Sequence, residues 1–429
     1  MSYFKHKVYA ARGEGGENLV TLGDNVPFVE RLLDPSISET QLKSEVWQTI
    51  LDLGLWDDIE GQKVDEKFHL RKIKGALTNV IYEAIYDNKH SILLRIFGAK
   101  LEAIVDRSYE ITVLQRLQDA NLKGPRIVGC FVNGRFEAYI RGSSSVAPDT
   151  LCDPWIMKSI SSSMHTLHNS VPLYPYERKY KYGSCFHKLE EWNTILDTVG
   201  SDWINDEENL IKYLHCNDWE FFKGSVLKYR DWLFNNCSYN SVNDFVFAHN
   251  DLQHGNVLLI NQEDTKKRET MLIDFEYAGP NAIAFDIANH LSEWMHDYDK
   301  IESYQCNYKR FPKTDKINEF IKFYLDCNSD NMNNLEESKL YNDVLNWRPC
   351  SQLFWSIWAI LQSGTIQSSR ASSNQSTPNP VTETDDTSFQ YLLFCQGKLS
   401  TFWGDLIQFG IIDKDDPHLI TQTVNYINI

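Results

Sequence analysis

No two cysteines in this 429-residue chain stand at C-x-x-C spacing, and the nine present are scattered from Cys130 to Cys395. An odd, dispersed set excludes a disulfide framework and a thiolate zinc site, and matches reduced, cytosolic usage. Positive charge is scarce too: 42 Lys and Arg face 59 Asp and Glu, a net charge of −17. A phosphate backbone needs a basic surface, so the balance argues against a nucleic-acid or anionic-membrane partner, and no nucleic acid is expected. A cationic ligand suits the balance, as does a plain acidic surface. The longest apolar patch, 353-LFWSIWAIL-361, falls far below the roughly 18 residues that span a bilayer. The opening MSYFKHKVYAARGEGG has no apolar signal-peptide core. These absences lead to the expectation of a cytoplasmic protein without an integral membrane segment.

What the chain does hold is aromatic mass: 13% Phe, Trp and Tyr, including 12 Trp, within 42% hydrophobic residues. That composition specifies a packed globular protein, and the length exceeds what one core supports. Residues 1–39 are mixed and Gly-containing and read as a flexible tail. From 40 to 56 apolar residues recur at helical spacing. Strand patterns follow at 68–73, 79–86 and 91–98, then helical spacing over 100–120. An Asn133-Gly134 turn joins 126–131 to 135–140 as a hairpin. Beyond 142-GSSSVAP-148 the pattern becomes helical, at 154–168, 186–199 and 207–235, with short strands at 244–249, 257–260 and 270–274. The stretch 365–388 is Ser, Thr, Asn and Pro, and reads as an insertion loop. The outline is an α+β, bilobal fold: a small sheet-rich N-lobe (40–141) and a large, mostly helical C-lobe (142–429).

One constellation stands out. In 249-HNDLQHGN-256 an Asp is followed five residues later by an Asn, and after 18 more residues comes Asp274 in 272-LIDFE-276. Phosphoryl transfer from a nucleotide needs positioning and charge neutralisation. A carboxylate must take or orient the proton of the attacking hydroxyl, and hard oxygen ligands must hold magnesium. The spacing offers Asp251 as base, with Asn256 and Asp274 as metal ligands. It has the logic of the protein-kinase H-R-D-x-x-x-x-N and D-F-G signatures. The A-P-E anchor of protein kinases is missing, and 74-KGALTN-79 replaces G-x-G-x-x-G, so a small-molecule acceptor is expected.

Taken with RIFGAKLEAIVDRSYE (95–110), CFVNGRFEAYI (130–140), IDFEYAGPNAIAFDIANHLSEWMHDY (273–298), WRPCSQLFWSIWAILQSG (347–364) and FWGDL (402–406), the chain resembles the eukaryotic choline/ethanolamine kinases, the fungal members in particular. The matches thread through residues 65–410 in the family's order.

The resemblance implies a protein-kinase-like fold, ATP and Mg2+ as cofactors, and choline, ethanolamine or both as acceptor, with phosphocholine as the entry to phosphatidylcholine. It implies a nucleotide-phosphate loop at Lys74, Gly75, Ala76, Leu77, Thr78, Asn79 and Val80, where many members carry two glycines in place of Gly75-Ala76. Arg95 matches the family's basic phosphate ligand, with Glu110 as a candidate partner. Ala138, Tyr139, Ile140 and Arg141 match the segment that meets adenine. A quaternary ammonium has no hydrogen-bond donor and is held by aromatic faces and carboxylates. The implied cage is Tyr298, Trp355, Trp358, Phe389 and Phe394, with Glu293, Gln253 and Asp251 at the reacting end. Trp355 and Trp358 share one helix face, a spacing that by itself favours core packing; with the family match a mixed role is expected, in which the faces that line the pocket are also packed. Phe394 stands where a Tyr is expected. Asp286 is expected to brace the catalytic loop, although a helix N-cap suits it as well. A homodimer is compatible with the family, and no segment marks its interface.

Overall fold

β-Branched and aromatic residues before position 145 build a sheet, and the helical spacings after it build helices. The computed structural model describes residues 9–10, 19–20, 26–56, 59, 66–73, 79–97, 107–262, 267–325, 334–366 and 389–428. The chain divides into two compact units, Met1–Ser144 with Leu258–Tyr277, and Ser145–Val257 with Ala278–Ile429. The hairpin after residue 257 thus belongs with the sheet-rich unit, where the linear reading had assigned it to the C-lobe.

The first unit carries β1 (Phe28–Val29), α1 (Glu39–Asp52), β2 (Phe68–Ile73), β3 (Asn79–Tyr86), β4 (His90–Phe97), α2 (Arg107–Asp119), β5 (Ile127–Phe131) and β6 (Gly134–Ala138). Six strands lie in the order β1-β5-β6-β4-β3-β2. All pairs are antiparallel except β1 with β5. Part of the stretch read as a tail is therefore ordered: Phe28–Val29 extends the sheet edge and Leu33 is buried. Asn133 holds Leu33 there, its side chain accepting from the Leu33 N–H at 3.0 Å and donating to its carbonyl at 2.7 Å. Gly134 is required beside it, because a Cβ would stand 2.3 Å from the Arg95 carbonyl oxygen.

Helix α1 begins at the Ser38 cap and buries Leu42, Val46, Trp47 and Ile50, the i, i+4, i+5, i+8 stripe of an amphipathic helix. Trp47 meets Phe68, Tyr86 and Trp56 at ring distances of 5.0, 5.2 and 6.0 Å. Truncating a buried tryptophan costs roughly 3–5 kcal/mol, so this aromatic knot anchors the sheet's inner face.

Besides the shortest strands and short helical turns, the remaining elements are β7 (Ser143–Ser145), α3 (Pro154–Ser170), α4 (Gly183–Val199), α5 (Trp219–Asn236), β8 (Val246–Ala248), β9 (Val257–Gln262), β10 (Lys267–Leu272), β11 (Gly279–Asn281), α6 (Ile283–Ser292), α7 (Thr314–Leu325), α8 (Asn334–Gln362) and α9 (Tyr391–Gln408). Strands β10-β9-β7 form one small sheet and β8-β11 another. In the second unit α8 packs against α9, α6, α4 and α7.

Pro349 lies inside α8, and the Tyr229 hydroxyl enters the helix beside it. It donates to the Asn346 carbonyl at 2.8 Å and accepts the Cys350 N–H at 3.0 Å, replacing one rung of the ladder. The continuous helix expected over 207–235 is broken instead. His215 adopts a left-handed φ of 56°, and Asp218 caps a fresh start at Trp219. Residues 367–388 of the low-complexity stretch lie outside the described residues.

Candidate active site

Up to its last residue, Ser292, helix α6 is apolar except for a stripe at Asp286, Asn289 and His290, continued by Glu293 just past its end. The i, i+3, i+4, i+7 spacing puts these groups on one face. Each meets a part of the site. Asp286, fully buried, accepts the backbone N–H of His249 at 2.9 Å and of Asn250 at 2.7 Å, and faces His168 Nε2 at 2.9 Å. Burial pushes the Asp286 carboxyl up, but His168 and then His249, by charge and hydrogen bond, hold it below its ordinary range. The N-cap of α6 is Ala282, so Asp286 caps the 249–256 loop and not the helix. His290 Nδ1 lies 2.9 Å from the Leu252 carbonyl, which can only accept, so that nitrogen carries the hydrogen. Its Nε2 then accepts from the Trp294 indole at 3.4 Å.

Held in this way, the loop turns sharply. Asn250 takes a left-handed φ of 64°, a region that asparagine tolerates. Its amide is tied to Ser184 and Asn281. His249 Nδ1 accepts the Asp251 N–H at 3.3 Å, an orienting contact. Asn256 Nδ2 donates to Asp251 Oδ2 at 2.9 Å and to the Asp251 carbonyl at 2.8 Å. The two residues are thus brought together, with the Asn256 amide oxygen as its remaining acceptor. Gln253 turns back on the loop, its Oε1 accepting the Gly255 N–H at 3.1 Å.

In the first unit, Asp274 has a φ of 65°. Its Oδ2 accepts from Arg95 Nη1 at 3.1 Å, while Oδ1 is buried with no hydrogen-bond partner among the described residues. Arg95 is buried on β4 directly across from Arg135 on β6. Two like charges in register repel. Glu137 offsets them, its Oε1 2.7 Å from Arg135 Nε and 3.5 Å from Arg95 Nε. At the end of β6, Ala138 donates its N–H to the Arg126 carbonyl and the Ile140 carbonyl accepts from Ser143. The Tyr139 hydroxyl accepts from Arg71, and Arg141 donates to the Lys89 carbonyl. Lys74 to Thr78, and the side chains of Asn79 and Glu110, lie outside the described residues; Val80 packs against the aromatic core.

The aromatic residues expected around a cation form a connected chain in the second unit. Trp355 and Trp358 meet edge to face at 5.5 Å, and Trp355 Nε1 donates to Asn289 at 2.8 Å. Trp358 contacts Tyr391 at 5.7 Å, Tyr391 contacts Phe389 at 4.9 Å, and Phe389 contacts Phe394 at 5.2 Å. Tyr298 closes the series, 6.3 Å from Phe389 and 6.4 Å from Phe394. Its hydroxyl donates to Glu293 Oε2 at 2.6 Å. Burial, then the charges of Glu293 and Asp251, keep that hydroxyl protonated far above its usual range. The reading of the sequence missed Tyr391, Lys398, Arg135 and Glu137. Tyr391 shows in the F-x-Y-x-x-F spacing, and Arg135 with Glu137 in an i, i+2 charge pair inside an apolar hairpin; Lys398 left no signal. No cluster of three or more His, Cys, Asp or Glu at metal-binding distance occurs among the described residues, and none of their helices is long and apolar enough to cross a membrane.

A sheet-rich unit and a helical unit that together carry H-x-D-x-x-x-x-N and I-D-F-E define a phosphotransferase of protein-kinase-like fold. Comparison with known proteins makes this specific. The family model for choline/ethanolamine kinase matches residues 70–403. The ethanolamine kinase of Saccharomyces cerevisiae is 35% identical, over 91% of this chain and 81% of its own. The choline kinase of the same yeast is 32% identical, over 91% and 80%. Among solved structures, a Plasmodium vivax ethanolamine kinase shares the fold at a TM-score of 0.62 and 19% identity, over 86% of this chain and 90% of the other. A Cryptosporidium parvum choline kinase does so at 0.61 and 23%, over 85% and 98%. The chain belongs to the choline/ethanolamine kinase family, phosphotransferases that use ATP to phosphorylate an alcohol group.

Proposed function

We propose that this enzyme phosphorylates the hydroxyl of choline, giving phosphocholine for phosphatidylcholine synthesis in the cytoplasm. The observation that carries this reading is the aromatic chain from Trp355 to Tyr298, which meets the ionised Glu293 at one end. Aromatic faces bind a quaternary ammonium that cannot donate a hydrogen bond.

Asp251 orients the choline hydroxyl and takes its proton as the oxygen bonds to the γ-phosphorus and the bond to the ADP oxygen breaks. The Asn256 amide keeps the Asp251 carboxylate aimed. Arg95, fixed by Glu137, binds phosphate oxygens, and Ala138 to Arg141 meet the adenine. A magnesium ion would take hard oxygens, and each unit carries a candidate: Asp274 Oδ1, which has no hydrogen-bond partner among the described residues, and the Asn256 amide oxygen. When bound, Mg2+ neutralises the charge of the phosphates.

Ethanolamine as acceptor is the second reading. It is favoured by the slightly higher identity to the yeast ethanolamine kinase, and by Glu293, which can accept from a primary ammonium. The deciding experiment measures kcat/KM for choline, ethanolamine and the N-methylated intermediates at equal ATP. A value for ethanolamine above that for choline would replace the first reading with the second, and turnover of neither would sink both.

A further inference from the structure

A lysine stands inside the cage. Lys398 of α9 is fully buried, a rare state for an ammonium. Its Nζ lies 3.0 Å from Glu293 Oε1 and 4.9 Å from the centre of the Phe394 ring. Glu293 Oε2 is taken by the Tyr298 hydroxyl, so both carboxylate oxygens are engaged. The protein's own ammonium thus sits on the carboxylate and one of the ring faces assigned above to the substrate's cation.

Neighbouring groups do not change this balance. His296 stacks on Tyr298 at 5.8 Å and packs on Phe394 at 5.1 Å. Burial, then the Lys398 charge, depress it to about 3, so it is neutral at physiological pH. Despite burial, the Lys398 charge holds Glu293 at about 2, so it is ionised. An arriving cation therefore meets a neutral ion pair and the remaining aromatic faces, not a bare carboxylate.

We propose that Lys398 is a resident cation of the head-group cage, which shares Glu293 and Phe394 with the substrate and thereby sets how weakly an ammonium alcohol binds. The inference rests on the cage reading above. Lys398 is a positioning residue, acting through Glu293. Without its charge, the buried carboxylate lacks a counter-ion, and the substrate's ammonium becomes that counter-ion.

The test compares wild type with Lys398→Met, Lys398→Gln and Lys398→Arg. Tetramethylammonium binding is measured by calorimetry without ATP, and KM and kcat are measured with choline and ethanolamine. Both uncharged variants are expected to bind tetramethylammonium about tenfold more tightly, and to lower the KM for choline while the KM for ATP stays within twofold. Lys398→Arg is expected to stay within twofold of wild type. Gln keeps polar reach toward Glu293 and serves if the Met variant fails to fold. Equal or weaker tetramethylammonium binding by the uncharged variants overturns the proposal. Wild-type turnover of neither alcohol overturns the functional reading instead, and the two failures are told apart because the calorimetry needs no turnover.

Discussion

Asp286 accepts the backbone N–H of Asn250 at 2.7 Å, with its carboxylate wholly buried beneath the loop that carries Asp251 and Asn256. A charged acceptor facing two adjacent backbone donors fixes the peptide planes of a left-handed turn that the sequence would otherwise not hold. Asp286→Ala leaves the N–H groups of His249 and Asn250 and the ring of His168 without that partner. The expected loss is about 3–5 kcal/mol of stability, read from the urea midpoint, with turnover falling alongside. A midpoint unchanged from wild type would show that the loop holds itself.

Asp251→Asn should lower turnover by orders of magnitude, because the amide cannot take the hydroxyl proton. Nucleotide binding, proposed above to rest on other residues, should stay near the wild-type level in equilibrium titration. Retained turnover rules Asp251 out as the base.

Trp358→Ala removes an indole that links Trp355 to Tyr391. The KM should rise more for choline than for ethanolamine, since a primary ammonium can still donate to carboxylates while a quaternary one relies on ring faces. Equal rises for the two substrates would reduce Trp358 to a packing role.

Buried neutral histidines make stability fall on the acid side. Burial depresses His290 to about 4, and burial with Lys398 depresses His296 to about 3. In the unfolded chain both take up a proton near 6.5. Below that pH, down to about 4 for His290, the unfolded state holds more protons, so stability decreases as pH falls. Each group contributes a slope of about 1.4 kcal/mol per pH unit in its window. His290→Gln should remove one such share, read as a smaller drop in Tm between pH 7.5 and 5. An unaltered drop would show that His290 is protonated in the folded protein.

Much of the outline was legible in one dimension. Alternation located β2, β3 and β4 to within a residue, and Asn133-Gly134 located the hairpin, because these depend on neighbours two to five residues apart. The helix expected over 207–235 was not legible as two pieces. Its break depends on His215, whose ring meets Thr423 and the Gln396 carbonyl, partners about 200 residues away. Parts of the candidate site divide in the same way. The Asp251–Asn256 pair follows from a five-residue spacing that a loop can close. The pairing of Arg95 with Asp274 spans 179 residues and needed the fold.

By itself the sequence determined the order of strands and helices, the residue types of the phosphotransferase motif and the family to which the chain belongs. Local periodicity and short spacings carry that information. Only the tertiary structure decided that Asp286 holds the loop and does not cap its own helix, that Tyr391 joins the aromatic chain, and that Lys398 lies against Glu293. Those contacts join residues 37, 33 and 105 positions apart, and packing in three dimensions selects them, because the energy of a buried charge or ring is set by what surrounds it and not by its position along the chain.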